Sequence, residues 1–167
     1  MIKPIEIPLT RGKIALICPC HAYIAEGSKW CFIEGGYAVA TRKQKMVYLH
    51  RLVANAQKGQ QIDHKDMNKL NNRCSNLRVC NYSQNSSNRT LIANSRSGYK
   101  GVHWESRRNH WVARIQVNGH QFQLGSFIDK KEAASAYDLA ASKYHGEFAL
   151  TNAKLAQLLS LGPKLPE

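Results

Sequence analysis

QIDHKDMNKLNNRCSNLRVCNYSQNSSNR, residues 61 to 89, sets an adjacent carboxylate and imidazole, Asp63 and His64, ahead of Asn76, Asn85 and Asn88. Lys65, Lys69, Arg73, Arg78 and Arg89 stand among them. Ile62-Asp63-His64 and Leu77-Arg78-Val79 read as two short strands separated by the Asn-rich loop Asn68 to Asn72, because Asn favours turns. Tyr82 to Ala93 reads as a helix with Asn81 or Ser83 as its cap. The order strand, loop, strand, helix can bring Asp63 and His64 against Asn85.

The residue types point to one chemistry. A carboxylate is a hard oxygen ligand for a divalent cation, a neutral imidazole is a base for water, and Lys and Arg neutralise phosphate. Together they suit metal-assisted hydrolysis of a phosphodiester.

Composition agrees with a polyanionic partner. Twenty-four Lys and Arg against eleven Asp and Glu give a formal net charge of +13, and both halves of the chain are basic. No apolar run approaches the roughly 18 residues of a membrane span, and no leader pattern opens the chain. The expectation is a cytoplasmic protein drawn to the nucleoid through DNA, with no membrane and no small-molecule cofactor.

Five cysteines, an odd number irregularly spaced, argue against a disulfide framework. Cys18, Cys20 and His21 invite a zinc reading. Cys-x-Cys is a poor chelate spacing, however, and Cys74 and Cys80 stand without paired knuckles, so the spacing argues against structural zinc and for free thiols.

Upstream, KIALIC (13–18), KWCFIEGGYAVAT (29–41) and KMVYLHRLV (45–53) read as strands of a small antiparallel sheet, turning at Gly35-Gly36 and at Arg42 to Lys45. Downstream of the polar NSRSG at 94–98, YKGVHWES, HWVARIQV and HQFQLGSF read as a three-stranded meander whose last turn is Asn118-Gly119. Asp129 or Ser126 can cap the next helix. Ala133, Ala136, Tyr137, Ala140, Ala141 and Tyr144 form its apolar face, and Gly146 ends it. AKLAQLLSLGPKLPE is an amphipathic tail.

HRLV at 50–53, IDH at 62–64, NN-x3-NLRV at 71–79 and QN-x2-NR at 84–89 resemble the HNH homing-endonuclease family. SGYKGVHW, WVARIQVNG, LGSF, EAASAYDLAASKYHG and ALTN resemble the AP2 DNA-binding domain. The pairing looks like the phage and bacterial HNH-AP2 endonucleases of mobile elements. The implied fold class is α+β: a ββα-metal (His-Me finger) module preceded by a small antiparallel sheet, then an AP2-type three-stranded antiparallel sheet with one packed helix. The expected divisions are a nuclease domain at 1–93 with its core at about 50–92, a linker at 94–97, an AP2-like domain at 98–152 and a tail at 153–167.

The HNH resemblance implies that His64 is the general base, that Asp63 and Asn85 are metal ligands, and that Asn76 ties the loop and helps orient the base. Asp63 and Asn85 stand where many relatives carry histidines, which favours one hard ion, Mg2+ or Mn2+. Arg51, Lys69, Arg73, Arg78 and Arg89 are the cations expected to meet phosphate.

The AP2 resemblance implies a sheet laid into the major groove, with Lys100, His103, Trp104, Arg107, Arg108, Arg114 and Gln116 toward double-stranded DNA. Alternation on HWVARIQV sets Trp111, Ala113, Ile115 and Val117 on one face and Val112, Arg114 and Gln116 on the other. The expected function is a metal-dependent DNA endonuclease, acting as a monomer or a DNA-bound dimer. The alternative is a non-catalytic, sequence-specific DNA-binding regulator with a degenerate nuclease module.

Overall fold

A computed structural model describes residues 3–88 and 95–160. The chain is of mixed α+β type and divides into two compact units, Met1–Asn81 and Tyr82–Glu167. Its described strands form four small antiparallel sheets. No described helix is long and apolar enough to cross a membrane.

In the first unit β1 (Ile5–Pro8) pairs with β2 (Ile14–Ile17) as a separate hairpin. The expected small sheet is present as β3 (Cys31–Phe32), β4 (Ala38–Arg42) and β5 (Lys45–Tyr48), without the KIALIC strand. The turn from β4 to β5 puts both Lys43 and Gln44 at positive φ, the geometry a two-residue hairpin needs. A short helix α1 (Ala22–Ala25) lies between the first two sheets in sequence.

One expected strand is corrected. KMVYLHRLV leaves the extended conformation at Tyr48 and continues as helix α2 (Leu49–Val53). Leu49 and Val53, one helical turn apart, both enter the core with Ile7, Ile17, Ile24, Trp30 and Leu77. Each such aliphatic side chain contributes about 1.5–3 kcal/mol through burial, which outweighs a modest helix penalty for Val.

Next come β6 (Gln61–His64) and β7 (Leu77–Cys80), paired in the register Ile62↔Val79, Asp63↔Arg78, His64↔Leu77. The loop between them is fastened to β2. Leu16 N–H donates to Leu70 O at 2.8 Å and Asn72 N–H to Leu16 O at 2.7 Å.

The second unit begins with α3 (Tyr82–Ser87). The expected continuation to Ala93, residue Arg89 and linker residue Asn94 lie outside the described residues. β8 (Val102–Glu105), β9 (His110–Val117) and β10 (His120–Phe127) form the meander in the order β10-β9-β8. Asn118 and Gly119 both take positive φ in its last turn, and a bulge falls between Gln123 and Gly125.

Helix α4 (Lys130–His145) starts at Asp129, whose carboxylate accepts from Lys131 N–H at 2.8 Å, and stops at Gly146. Ala133, Ala134, Tyr137, Ala140 and Ala141 are its buried residues; Tyr144 is exposed, so its expected place on the apolar face is corrected. Helix α5 (Asn152–Ser160) runs from the last residue of the expected AP2-like domain into the expected tail and buries Leu155.

Asn152 fastens this unit. Its side chain accepts from Lys100 N–H at 2.6 Å and donates to Asp138 Oδ1 at 2.9 Å. A residue with little helical preference thus joins the approach to β8, helix α4 and the start of α5.

Candidate active site and nucleic-acid face

His64 is buried at the end of β6, and its Nε2 lies 3.2 Å from Asn72 Oδ1. The Asn72 amide nitrogen donates to Leu70 O at 3.0 Å, which turns its oxygen toward the imidazole. An acceptor at Nε2 selects the tautomer protonated there and leaves the ring lone pair on Nδ1. Burial lowers the His64 pKa, against the opposing pull of the Asn72 bond and of Asp66 and Asp63. The ring therefore favours the neutral form a base requires.

Three other rings gather here. His50 lies 5.5 Å from His64 between centroids, and Tyr37 lies 5.0 Å from His50 and 6.3 Å from His64. Tyr48 packs 5.5 Å from His50. Burial first, then the neighbouring His64 and Arg51, pushes the His50 pKa down to about 4.

Asp63 meets Arg78 across the β6–β7 ladder. Arg78 Nε and one terminal nitrogen reach Asp63 Oδ2 at 2.8 and 2.6 Å, the carboxylate being buried and the guanidinium partly so.

Asn76 is a clamp. Its oxygen accepts from Asp66 N–H at 3.1 Å, and its amide nitrogen donates to Asp66 Oδ1 at 2.8 Å and Asn71 O at 2.7 Å. Asp66 also takes Asn68 N–H at 2.9 Å and the Asn71 amide at 2.6 Å. The sequence assigns no site role to Asp66, and Asn72 only a place in the Asn-rich loop; an Asp two residues before an Asn is the Asx-turn signal that points to the first of them.

The described cations of this unit that were expected to meet phosphate have intramolecular partners. Arg51 donates to Gln60 O and Gln57 O, Arg73 to Asn71 Oδ1, and Lys69 to Gly35 O at 2.8 Å while lying over the Tyr37 ring. Lys65 reaches Ser75 O. Asn85, half-buried, lies on α3 in the second unit.

Spacing along the chain, which argues for free thiols, does not show which thiols meet in space. Cys74 arrives from the β6–β7 loop beside Cys18 and Cys20, all three sulfurs lying within 4.8 Å of one another.

In the second unit, register separates the faces of the meander. Val102↔Ala113 and Trp104↔Trp111 are opposed, and Val102, Ala113 and Trp111 pack in one apolar cluster with Ala133 and Ala134 of α4. Trp104 and Trp111 meet edge-on at 4.9 Å, so Trp104 belongs to the helix-facing side. His103, paired with Val112, shares the other face with Arg114 and Gln116, which pair with Gln123 and Gln121. Burial and the nearby Arg114 lower the His103 pKa. Arg107 and Arg108 are exposed in the β8–β9 turn.

Lys100, Arg114, Gln116, Tyr82, Ser83 and His145 line a cleft of about 290 Å³. Burial lowers the Lys100 pKa to about 8, although Asp138 opposes the shift.

The sequence pattern of the HNH endonuclease family matches residues 47–87, a span that includes α2, β6, β7 and α3. An uncharacterized HNH endonuclease of Acanthamoeba polyphaga mimivirus is 35% identical over 148 residues, covering 85% of this chain and 76% of that protein. The chain belongs to the HNH endonuclease family.

Protein 3.8 of Escherichia phage T7 is 34% identical to this HNH family member over 92 residues, which is 55% of the chain and 75% of the phage protein. An AP2-like ethylene-responsive transcription factor of Arabidopsis thaliana is 40% identical over 67 residues, 39% of this chain but only 19% of the plant protein. The HNH family member therefore also carries an AP2-like region.

Proposed function

We propose that this protein is a metal-dependent DNA endonuclease in which the HNH segment hydrolyses the phosphodiester and the AP2-like region positions it on duplex DNA. The observation that carries this reading is the His64–Asn72 bond, which supports His64 as a base with its lone pair on Nδ1. In the mechanism His64 takes the proton of the attacking water. Asn76 holds the loop bearing Asn72, and so acts as a positioning residue.

The donor set fits a hard divalent ion. Asp63 supplies carboxylate oxygens, which offer about four lone-pair sites, so an ion pair with Arg78 and coordination of a cation are compatible. Asp63 and Asn85 are the proposed ligands, both falling within the family match at 47–87. When bound, Mg2+ or Mn2+ stabilises negative charge developing in phosphodiester cleavage. Arg78 holds the Asp63 carboxylate in place, while Lys69, Arg73 and Arg89 are proposed to lie along the phosphate path.

On the proposed AP2-type sheet, His103, Arg114 and Gln116 face the groove, Arg toward guanine and Gln toward adenine. Arg107 and Arg108 in the exposed turn neutralise phosphate.

Plasmid nicking tests the proposal. The wild-type protein with Mg2+ or Mn2+ is expected to relax supercoiled plasmid, and His64→Ala or EDTA to abolish that relaxation. Equal cutting by wild type, variant and chelated control would overturn it; undiminished DNA binding without cutting would leave a DNA-binding regulator instead.

A further inference from the structure

A second constellation lies in the first unit, and its donors are soft. Cys20 Sγ stands 3.9 Å from Cys74 Sγ, and the His21 Nδ1 lies 3.2 Å from the first and 3.3 Å from the second. Cys18 Sγ completes the group, all three sulfurs being within 4.8 Å of one another.

These separations suit one tetrahedral ion. Zinc bonds of about 2.3 Å to sulfur and about 2.0–2.1 Å to nitrogen put neighbouring sulfurs about 3.8 Å apart, and sulfur and nitrogen about 3.6 Å apart. The Cys20–Cys74 spacing of 3.9 Å matches that edge, and His21 Nδ1 is already beside both of those sulfurs; it lies outside the 4.8 Å group that Cys18 makes with them, so binding one ion draws Cys18 and the His21 ring together. The same separations exclude a disulfide as it stands, because bonded sulfurs lie about 2.05 Å apart.

The surroundings favour a metal over a chance meeting of thiols. Cys74 N–H points at Cys18 Sγ at 3.1 Å, and a backbone donor aimed at sulfur stabilises the thiolate that binds metal. Pro19 lies in a tight 3-10 turn, Pro19–His21, which folds Cys18 and Cys20 back toward each other despite the single residue between them. Cys74 comes from 54 residues beyond Cys20, so two unconnected segments converge.

We infer that Cys18, Cys20, His21 and Cys74 form a structural zinc site that pins the end of β2 to the β6–β7 loop. Three thiolates and an imidazole select a soft or borderline cation, and zinc accepts this donor set in tetrahedral geometry. Four protein ligands leave no open position, so the ion is structural and stands apart from the oxygen-ligated ion of the proposed reaction. It closes a seam already begun by the Leu16–Leu70 and Leu16–Asn72 backbone bonds.

The full chain, purified under reducing conditions without chelator, is expected to carry one zinc per chain by elemental analysis, retained after brief EDTA treatment. Cys74→Ser and His21→Gln are expected to lower zinc content, while Cys31→Ser and Asp63→Ala keep it. Because a ligand variant can fail to fold, the wild-type protein is also stripped, refolded with Co2+ and examined for the intense visible bands of tetrahedral thiolate cobalt. A zinc-free wild type, an octahedral cobalt spectrum, or alkylation mapping that finds a Cys20–Cys74 disulfide in the reduced preparation would overturn the inference. None of these measurements depends on DNA cleavage.

Discussion

His64 Nε2 and Asn72 Oδ1 are 3.2 Å apart, and Asn72, only 1% exposed, is itself held by Leu70 O. One buried amide thus chooses the tautomer of the proposed base. Replacing Asn72 by Ala is expected to remove the acceptor at Nε2 and to lower kcat for plasmid nicking by about 10- to 100-fold, a fraction of what general-base catalysis supplies. Single-turnover rates and KM check it. A raised KM with kcat intact would place Asn72 in DNA binding instead.

The Asp63–Arg78 pair concerns stability as well as chemistry. Arg78→Met removes one partner and leaves a buried carboxylate without its cation, expected to cost about 3–5 kcal/mol. Asp63→Asn combined with Arg78→Met is expected to recover a large part of that loss, because neither remaining group carries an uncompensated charge. Urea unfolding of the single and double variants decides it, and additive losses would show that the pair is not energetically coupled.

Local features of this fold were legible in the sequence, whereas contacts between distant segments were not. Asn118-Gly119 marked its hairpin because the turn itself needs two residues at positive φ. Asp129 marked a helix start because a carboxylate there meets an unpaired N–H. Alternation on β9 separated Trp111, Ala113 and Ile115 from Arg114 and Gln116. Leu49 to Val53 was misread because a short apolar run has no period of its own, and only the core it enters decides between strand and helix. Asn72 on His64, Arg78 on Asp63 and Cys74 beside Cys20 each join segments whose meeting depends on the tertiary fold. Lys69 and Arg51 illustrate the same limit: composition counts them as cations for DNA, and folding gives them carbonyl partners first.

Trp104 and Arg114 lie on opposite faces of the meander and should fail in different ways. Trp104→Ala removes the edge-on partner of Trp111 and is expected to lower Tm, with DNA affinity unchanged in the folded fraction. Arg114→Ala is expected to leave Tm nearly unchanged and to relax sequence preference in binding. An Arg114→Ala variant that weakens every sequence equally and lowers only the salt slope would make Arg114 a phosphate contact.

His50 makes stability depend on pH. Its folded pKa is about 4 against an ordinary 6.5, and its buried Nδ1 finds no hydrogen-bond partner among the described residues. The unfolded chain binds this proton more readily, so the contribution is fully present above pH 6.5 and is lost as pH falls toward 4. The shift corresponds to roughly 3 kcal/mol. His64 and Arg51 disfavour the His50 cation, and Tyr37 and Tyr48 pack against its ring. His64 shifts in the same direction, so the comparison must isolate His50. His50→Phe keeps a ring without a charge and is expected to flatten the stability curve across this window. Parallel curves for variant and wild type would refute the assignment.

Gly101 tests the second unit through its backbone. It stands at φ +75, where an L side chain is strained, and an added Cβ would run into the ring of Tyr137 on α4. Tyr137 is buried with Ile115, Ala140 and Ala141, so its ring has little room to retreat. Lys100, the preceding residue, is bound on both its N–H and its carbonyl by Asn152, which prevents the chain from backing away. Gly101→Ala is therefore expected to unfold the second unit or lower its Tm sharply, whereas Gly98→Ala, at a similar φ but with open space around the added carbon, pays only the backbone strain. Thermal unfolding followed by tryptophan fluorescence compares the two. Equal losses would mean that φ alone governs both sites and that Tyr137 yields.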